Sequence, residues 1–133
     1  MSQDLSELDL NKSVYENVSL TSIQDTYHIR MILRHLLFDA GMLEKKAFTL
    51  SGGERVRLAI GKMLLSDADI LLLEEITNYL DIASIEALER ALCAYPGTII
   101  FISHDINFIK HVATSFVKIE NKKLVETDIY HYN

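Results

Sequence analysis

The apolar positions in the first half of the chain recur with helical spacing. Over residues 24–40 they fall three and four residues apart, at Ile29, Ile32, Leu33, Leu36 and Leu37. This spacing predicts an amphipathic helix, with Gly41 as its C-cap. A second helix is predicted over 52–65, with apolar positions at Val56, Leu58, Ile60, Met63 and Leu64. A short helical turn is predicted over 13–18.

The second half alternates short apolar runs with helical patterns. Residues 70–73 are a continuous apolar run, which is typical of a strand buried on both faces. The predicted elements that follow it are a helix over 82–94 ended by Pro96-Gly97, a strand over 98–102, a helix over 106–113, and a hairpin of 116–119 with 123–126 through Asn121-Lys122. Strand–helix–strand–helix order predicts a parallel sheet flanked by helices. The predicted fold class is therefore α/β, with a helical part first.

Length and charge exclude several classes of protein. At 133 residues the chain has the length of one domain, and its net charge of −6 argues against non-specific binding to nucleic acid or to an anionic membrane. No apolar run approaches the roughly 20 residues of a membrane span, and the acidic N-terminus does not resemble a signal peptide. Cys93 is the only cysteine, so no internal disulfide forms. We expect a cytoplasmic protein that is not embedded in a membrane.

The segment Leu50-Ser51-Gly52-Gly53-Glu54 lies at the start of the second predicted helix. One interpretation is a capping box, in which Ser51 caps the helix and Glu54 reaches back to it. That interpretation leaves Gly52 and Gly53 unexplained, since each weakens a helix by roughly 1 kcal/mol relative to alanine. Glycines in a first turn let a large anion approach the backbone N–H groups at the positive end of the helix dipole. Both interpretations stay open at this point.

Two adjacent carboxylates, Glu74 and Glu75, follow the first predicted strand. Ligands of open α/β sheets bind at the carboxyl ends of the strands. One carboxylate there can hold Mg²⁺ while the other positions an attacking water. The alternative is a pair of solvated acids, with Asp81 as an ordinary N-cap of the next helix.

Ser103-His104-Asp105 follows the second predicted strand, again at its carboxyl end. His104 there can contact a phosphate or an attacking water. The alternative is an ordinary surface histidine, with Ser103 or Asp105 capping the following helix.

Taken together and in this order, the three segments resemble the ATPase domain of an ABC protein. LSGGE resembles the signature motif, residues 70–75 resemble Walker B followed by the catalytic glutamate, Leu80-Asp81 resembles the D-loop, and His104 resembles the switch histidine. The longer run LSGGERVRLAIGKMLL and the later Thr-Asn-Tyr-Leu-Asp resemble the ABC-F class. Members of that class are soluble twin-ATPase proteins that act on ribosomes, and some confer resistance to ribosome-targeting antibiotics.

The resemblance implies a fold, a set of site residues and partners. The implied fold is a partial P-loop NTPase, with a Q-loop and helical signature subdomain over about 1–66 and a Walker B to C-terminal α/β part over 67–133. The implied ligands are ATP and Mg²⁺. The implied roles are catalysis by Glu75 and His104, nucleotide binding by Gln3, Leu50, Ser51, Gly52, Gly53, Glu54 and Asp81, and Mg²⁺ binding by Glu74 and Gln3. The implied partners are a second ABC ATPase domain, whose intact P-loop the signature motif completes in trans, and the ribosome, with no role for DNA or a membrane.

Several features depart from the family pattern. The 133 residues contain no G-x-x-x-x-G-K-S/T, the P-loop that cradles phosphates, so we expect the chain to be the back part of one ATPase domain. Glu74 stands where Walker B has aspartate, Ile76 replaces the usual proline, and Ile106 stands where the class often has arginine.

Three functions stay open. The first is an ATP-binding and ATP-hydrolysing segment of an ABC-F-type protein. The second is an inactive, truncated module that pairs with an intact ATPase domain. The third, which the sequence context favours least, is the ATPase subunit of an ABC transporter.

Overall fold

The computed structural model describes residues 7–78 and 80–128. Gln3 and Tyr79 lie outside the described residues, so the Q-loop assignment stays a prediction. The helices are α1 (Val14–Ser19), α2 (Thr26–His35), α3 (Gly52–Leu64), α4 (Ile82–Cys93) and α5 (Ile106–Val112), with a 3₁₀ turn at Ala47–Thr49. The strands are β1 (Ile70–Glu74), β2 (Thr98–Ile102), β3 (Phe116–Glu120) and β4 (Lys123–Thr127). The order of elements predicted from the sequence is confirmed.

Helix α2 ends a full turn earlier than its apolar pattern predicts. The chain leaves the helix through Leu37, which has a left-handed φ of 68° and a side chain 41% exposed. The amide of Phe38 donates to Leu33 O at 2.9 Å and the amide of Leu37 donates to Arg34 O at 3.0 Å. These two bonds form a Schellman ending. The prediction that Gly41 caps this helix is therefore wrong, because Leu37 takes the left-handed position that favours glycine.

Strands β1 and β2 pair in parallel, as predicted. The register places Leu71 opposite Ile99 and Leu73 opposite Phe101. Leu71 and Leu73 are buried, and the ring of Phe101 meets that of Phe108 on α5 edge to face at 5.3 Å. One face of this two-stranded sheet therefore packs against the helices.

The opposite face of the sheet is exposed. The prediction that the apolar run over 70–73 is buried on both faces is wrong for the described chain. Four aliphatic side chains lie on this face, between 54% and 59% exposed: Ile70, Leu72, Ile100 and Ile102. The alternation arises because successive residues of a strand point to opposite faces, and only one face meets helices here.

A single hydrophobic core joins the helical part to the sheet. Its fully buried members include Val14 and Val18 of α1, Leu33 of α2, Leu58 of α3 and Leu88 of α4. This shared core holds the start of α3 and the carboxyl ends of β1 and β2 in one body. Within residues 7–78 and 80–128, no helix is long and apolar enough to cross a membrane.

Strands β3 and β4 form the predicted antiparallel hairpin. Glu120 pairs with Lys123, so Asn121 and Lys122 form a two-residue loop. Both loop residues have positive φ, 51° and 61°. A type I′ turn requires this conformation, which asparagine tolerates and lysine disfavours.

Replacing Lys122 by glycine should stabilise the hairpin. Glycine adopts positive φ without steric cost, so we expect Lys122→Gly to raise the free energy of unfolding by about 0.5 kcal/mol. Urea denaturation checks this. The control, Lys123→Gly, lies within β4 and should lower the same quantity by about 0.5–1 kcal/mol; equal effects of the two variants would contradict the turn assignment.

Candidate nucleotide site

The N-terminus of α3 carries the predicted capping box. Ser51 is the N-cap, and its Oγ accepts from the amide of Glu54 at 3.2 Å. The Glu54 carboxylate accepts in return from the amide of Ser51 at 3.0 Å. These hydrogen bonds hold the pKa of Glu54 below its ordinary value, chiefly through the backbone amide of Ser51. The capping box, one of the two interpretations that the sequence left open for this segment, is therefore present.

Gly52 and Gly53 lie between Ser51 and Glu54, and the space that a side chain at either position would enter is open. A Cβ built on Gly52 or Gly53 would find nothing within 4 Å, and neither residue has positive φ. No hydrogen bond of the described residues uses their two amides. The described part of the fold therefore gives no steric or conformational reason for glycine at either position. The open helix N-terminus instead fits an anion that approaches the backbone closely.

Glu75 follows β1 in a strained backbone conformation. Its φ is 48°, in the left-handed region that a non-glycine residue occupies at a cost of roughly 1–3 kcal/mol. Its amide donates to Ile102 O at 2.9 Å, which extends the pairing of β1 with β2 by one residue. The residue that follows β1 is thereby held beside the residues that follow β2.

The structure brings Glu75 and His104 together. The backbone amide of His104 donates to Glu75 Oε2 at 3.3 Å, and Nδ1 of His104 contacts Glu75 Oε1. The Glu75 side chain is 23% exposed, whereas that of His104 is 88% exposed. A shielded carboxylate with an accessible imidazole beside it is an arrangement that can orient a water and contact a charged group arriving from solvent.

Glu74 ends β1 on the exposed face of the sheet. Among the described residues, no group of three or more His, Cys, Asp or Glu side chains is arranged to hold a metal ion by itself. Mg²⁺ is usually held by one or two carboxylates together with water and phosphates, so the Glu74 carboxylate is of the type that contributes one ligand to such a site.

Asp81, a predicted nucleotide-binding residue, and Asp105 both cap helices. The Asp81 carboxylate accepts from the amide of Ser84 at 2.8 Å, and hydrogen bonds from Ser84 are the main reason that the pKa of Asp81 is lowered. Asp105 caps α5 by accepting from Phe108 at 3.1 Å, and Ser103 is buried. Capping was one of the two interpretations that the sequence left open for Asp81 and Asp105.

The predicted residues form two groups. The contacts among the described residues join Ser51 to Glu54 and Glu75 to His104, and none of them joins the first pair to the second. Leu50, which precedes Ser51 in the sequence, is buried. A single chain therefore presents an open signature helix and a separate carboxylate–histidine pair.

Arg57 on α3 is a supporting residue that sequence reasoning missed. It donates to Leu36 O at 2.8 Å, and its guanidinium carbon lies 5.4 Å from the centre of the Phe38 ring. It also adds a smaller, electrostatic contribution to the lowered pKa values of Glu54 and Asp81. The helical spacing of the segment gives no signal for these contacts, because they are made to residues distant in sequence.

Comparison with known proteins gives the family of this chain. Residues 1–78 match the protein family described as "ABC transporter". The chain belongs to that family, whose members carry a nucleotide-binding ATPase domain.

Individual similar proteins show which members of the ABC family this chain resembles. The chain is 39% identical over 130 residues to "Putative ATP-binding protein YdiF" of Bacillus subtilis, covering 93% of the chain and 20% of that protein. It is 41% identical over 116 residues to "ABC transporter F family member 5" of Arabidopsis thaliana, covering 86% and 17%. It is 45% identical over 84 residues to "Erythromycin resistance ATP-binding protein MsrA" of Staphylococcus epidermidis, covering 63% and 17%. The chain thus spans about a fifth of the length of these relatives.

Comparison with solved structures also supports an ABC ATPase fold. The fold matches "RNase-L Inhibitor" with a TM-score of 0.68 and 28% identity, covering 88% of the chain and 24% of that protein. A second match with the same values is a complex of an archaeal ribosomal stalk protein with the ribosome recycling factor aABCE1. The resemblance to ABC-F ATPases and the partial ABC ATPase fold are confirmed.

The open space around Gly52 and Gly53 leads to a prediction about the free energy of unfolding. Gly52→Ala and Gly53→Ala should each raise the free energy of unfolding of the 133-residue chain by up to about 1 kcal/mol, because alanine favours the helix and meets nothing. Urea denaturation checks this. The control is Gly61→Ala in the same helix, whose Cβ would lie 3.0 Å from Leu36 Cδ1, so that variant should gain less or lose stability.

The lowered pKa of Glu54 leads to a prediction about how the free energy of unfolding changes at acidic pH. Since its folded pKa lies below the unfolded value of 4.5, ionised Glu54 contributes stability that is present above pH 4.5 and is lost as the pH falls through the lowered pKa. Unfolding by urea should therefore become easier between about pH 5 and about pH 3. Glu54→Gln should reduce this loss, because glutamine retains the capping hydrogen bonds without titrating. Glu44→Gln, which removes an exposed carboxylate that caps no helix, is the control; an equal reduction there would contradict the assignment.

Proposed function

We propose that this chain is the signature and Walker B part of an ABC-F-type ATPase domain and that its signature segment completes the ATP site of a second ABC ATPase domain. The observation that carries this proposal is the start of α3, where Gly52 and Gly53 face open space and their amides make no hydrogen bond to any residue that the structure describes. An anion-binding helix terminus needs those properties, and the packing of this chain does not. The family match supports ATP as the anion.

Each side chain has a distinct role in the proposal. The first-turn amides of α3 would bind a phosphate of an ATP held by the partner domain, with Ser51 and Glu54 fixing the helix start. Glu75 would accept a proton from a water and orient it, and His104 would contact the terminal phosphate. Glu74 and Gln3 would hold Mg²⁺, which when bound would supply positive charge against the phosphates. Asp81 would line the same interface beyond its capping role.

The ribosome is the proposed site of action of the whole protein. Support comes from the relatives and structural neighbours, whose names include ABC-F family members, an erythromycin resistance protein and a ribosome recycling factor. The proposed domain organisation is a Q-loop and signature subdomain over about 1–66, followed by an α/β part over 67–133.

A second candidate function is a module that pairs with an intact ATPase domain without hydrolysing ATP itself. The observation that favours it is Glu74, whose carboxylate is one methylene further from the backbone than that of the usual Walker B aspartate. A displacement of about 1 Å in a catalytic group can cost about 100-fold in rate. The two candidates share the signature function and differ only in whether Glu75 and His104 turn over ATP.

The 133-residue chain alone should show no measurable ATP turnover, because it contains no P-loop motif to hold the phosphates. Phosphate release assays check this. Steady release that disappears in Glu75→Gln would contradict it.

The signature function is tested by adding the chain to an ABC-F ATPase domain that has an intact P-loop and a disabled signature motif. We expect the chain to strengthen binding of labelled ATP to that domain by at least about tenfold. Gly53→Asp should abolish the gain, since its carboxylate repels phosphate while an acidic residue in a first helical turn preserves folding. Gly53→Ala is the matched variant and should retain part of the gain. Failure of the wild-type chain to strengthen binding would overturn the proposal.

A further inference from the structure

Three of the five arginines in the chain line one surface cavity. Arg30 and Arg34 reach it from α2, and Arg90 reaches it from the last turn of α4. The cavity has a volume of about 550 Å³, within the range typical of small-ligand sites. We call it the arginine cavity. It contains none of the residues assigned to the ATP site.

The three arginines of the arginine cavity, Arg30, Arg34 and Arg90, have no carboxylate partner among the described residues. The other two arginines behave differently, since Arg55 and Arg57 each donate to a backbone carbonyl. In a chain of net charge −6, three guanidinium groups around one cavity, with no ion pair in the part of the chain that the structure describes, are a local concentration of positive charge.

Helix dipoles explain part of this arrangement. Arg34 lies in the last turn of α2 and Arg90 in the last turn of α4, where a cation stabilises the helix end. Arg30 lies in the middle of α2, and no helix terminus accounts for it. Its guanidinium carbon lies 5.5 Å from the centre of the Tyr15 ring, which holds the side chain in place.

An aromatic side chain completes the cavity. Tyr27 precedes Arg30 and Arg34 by three and seven residues, so the three side chains share one face of α2. Tyr27 lines the cavity and is 72% exposed. Exposed aromatic rings beside arginines are the combination that binds the bases and phosphates of single-stranded nucleic acid.

We propose that the arginine cavity binds one nucleotide unit, with its phosphate on Arg34, Arg90 and Arg30 and its base stacked on Tyr27. Arginine presents a planar set of donors that matches phosphate oxygens. The unit comes either from a free nucleotide or from a segment of single-stranded RNA, and both sources offer the same phosphate and base.

The proposal is tested with fluorescein-labelled pentauridylate RNA and the 133-residue chain, by fluorescence anisotropy at low salt. Arg34→Gln should weaken binding at least about tenfold and reduce the slope of log K against log salt by about 0.7. Arg34→Lys keeps the charge and loses the planar donors, so it should retain the wild-type slope with lower affinity. Tyr27→Leu should weaken binding about fivefold or more through loss of stacking.

Two comparisons serve as controls. Lys110→Gln removes one exposed cation from α5, outside the cavity, and should change binding by less than about twofold. Arg34→Gln should leave the gain in ATP binding measured in the signature test unchanged, so the cavity and the proposed ATP site fail or succeed separately. Circular dichroism and thermal unfolding verify that each variant is folded.

Competition with unlabelled uridine monophosphate distinguishes the two sources of the nucleotide. Equal competition by the mononucleotide and by unlabelled pentauridylate supports a free nucleotide, whereas stronger competition by pentauridylate supports an RNA segment. Absence of binding, or an equal loss in Lys110→Gln and Arg34→Gln, would overturn the proposal. Retention of full affinity in Tyr27→Leu would also overturn it, since the ligand would then be a phosphate without a base.

Discussion

The parallel pairing of β1 with β2 is the constraint on which the rest of the structure depends. Its register places Glu74 opposite Ile102, and the hydrogen bond from Glu75 N–H to Ile102 O carries the pairing one residue further. Any slip by one residue would exchange the faces of the strand, exposing Leu71 and removing it from the core. The same register brings Glu75 beside His104, so core packing and site geometry are fixed together.

Most of the secondary structure could be predicted from periodicity and turn residues. The helical spacing of α3 and the apolar runs of β1 and β2 were sufficient, because each pattern is local. The end of α2 was not predictable in this way, since Leu37 occupies a conformation that normally marks glycine. The contact next to this helix end was not predictable either. Arg57 donates to the carbonyl of Leu36, which precedes Leu37, and the two contacting residues are 21 positions apart in the sequence.

The candidate site divides in the same manner. The motifs correctly predicted Ser51 and Glu54 at a helix start and Glu75 at a strand end. These features depend on patterns among neighbouring residues in the sequence. No local sequence pattern predicts the left-handed φ of Glu75 or the open space around Gly53. The arginine cavity depends on the packing of α2 against α4, which brings Arg90 to a helix more than 50 positions earlier in the sequence.

The exposed aliphatic face of the β1–β2 sheet would couple folding to association wherever a second surface covers it. A surface that covered Ile70, Leu72, Ile100 and Ile102 would bind the folded chain and not the unfolded chain, so it would shift the folding equilibrium by mass action. If that surface belonged to a second copy of the chain, the midpoint of thermal unfolding would depend on protein concentration, and excluded salts such as sulfate would strengthen the effect. The stability of the chain would then have a meaning only together with the concentration of whatever covers this face.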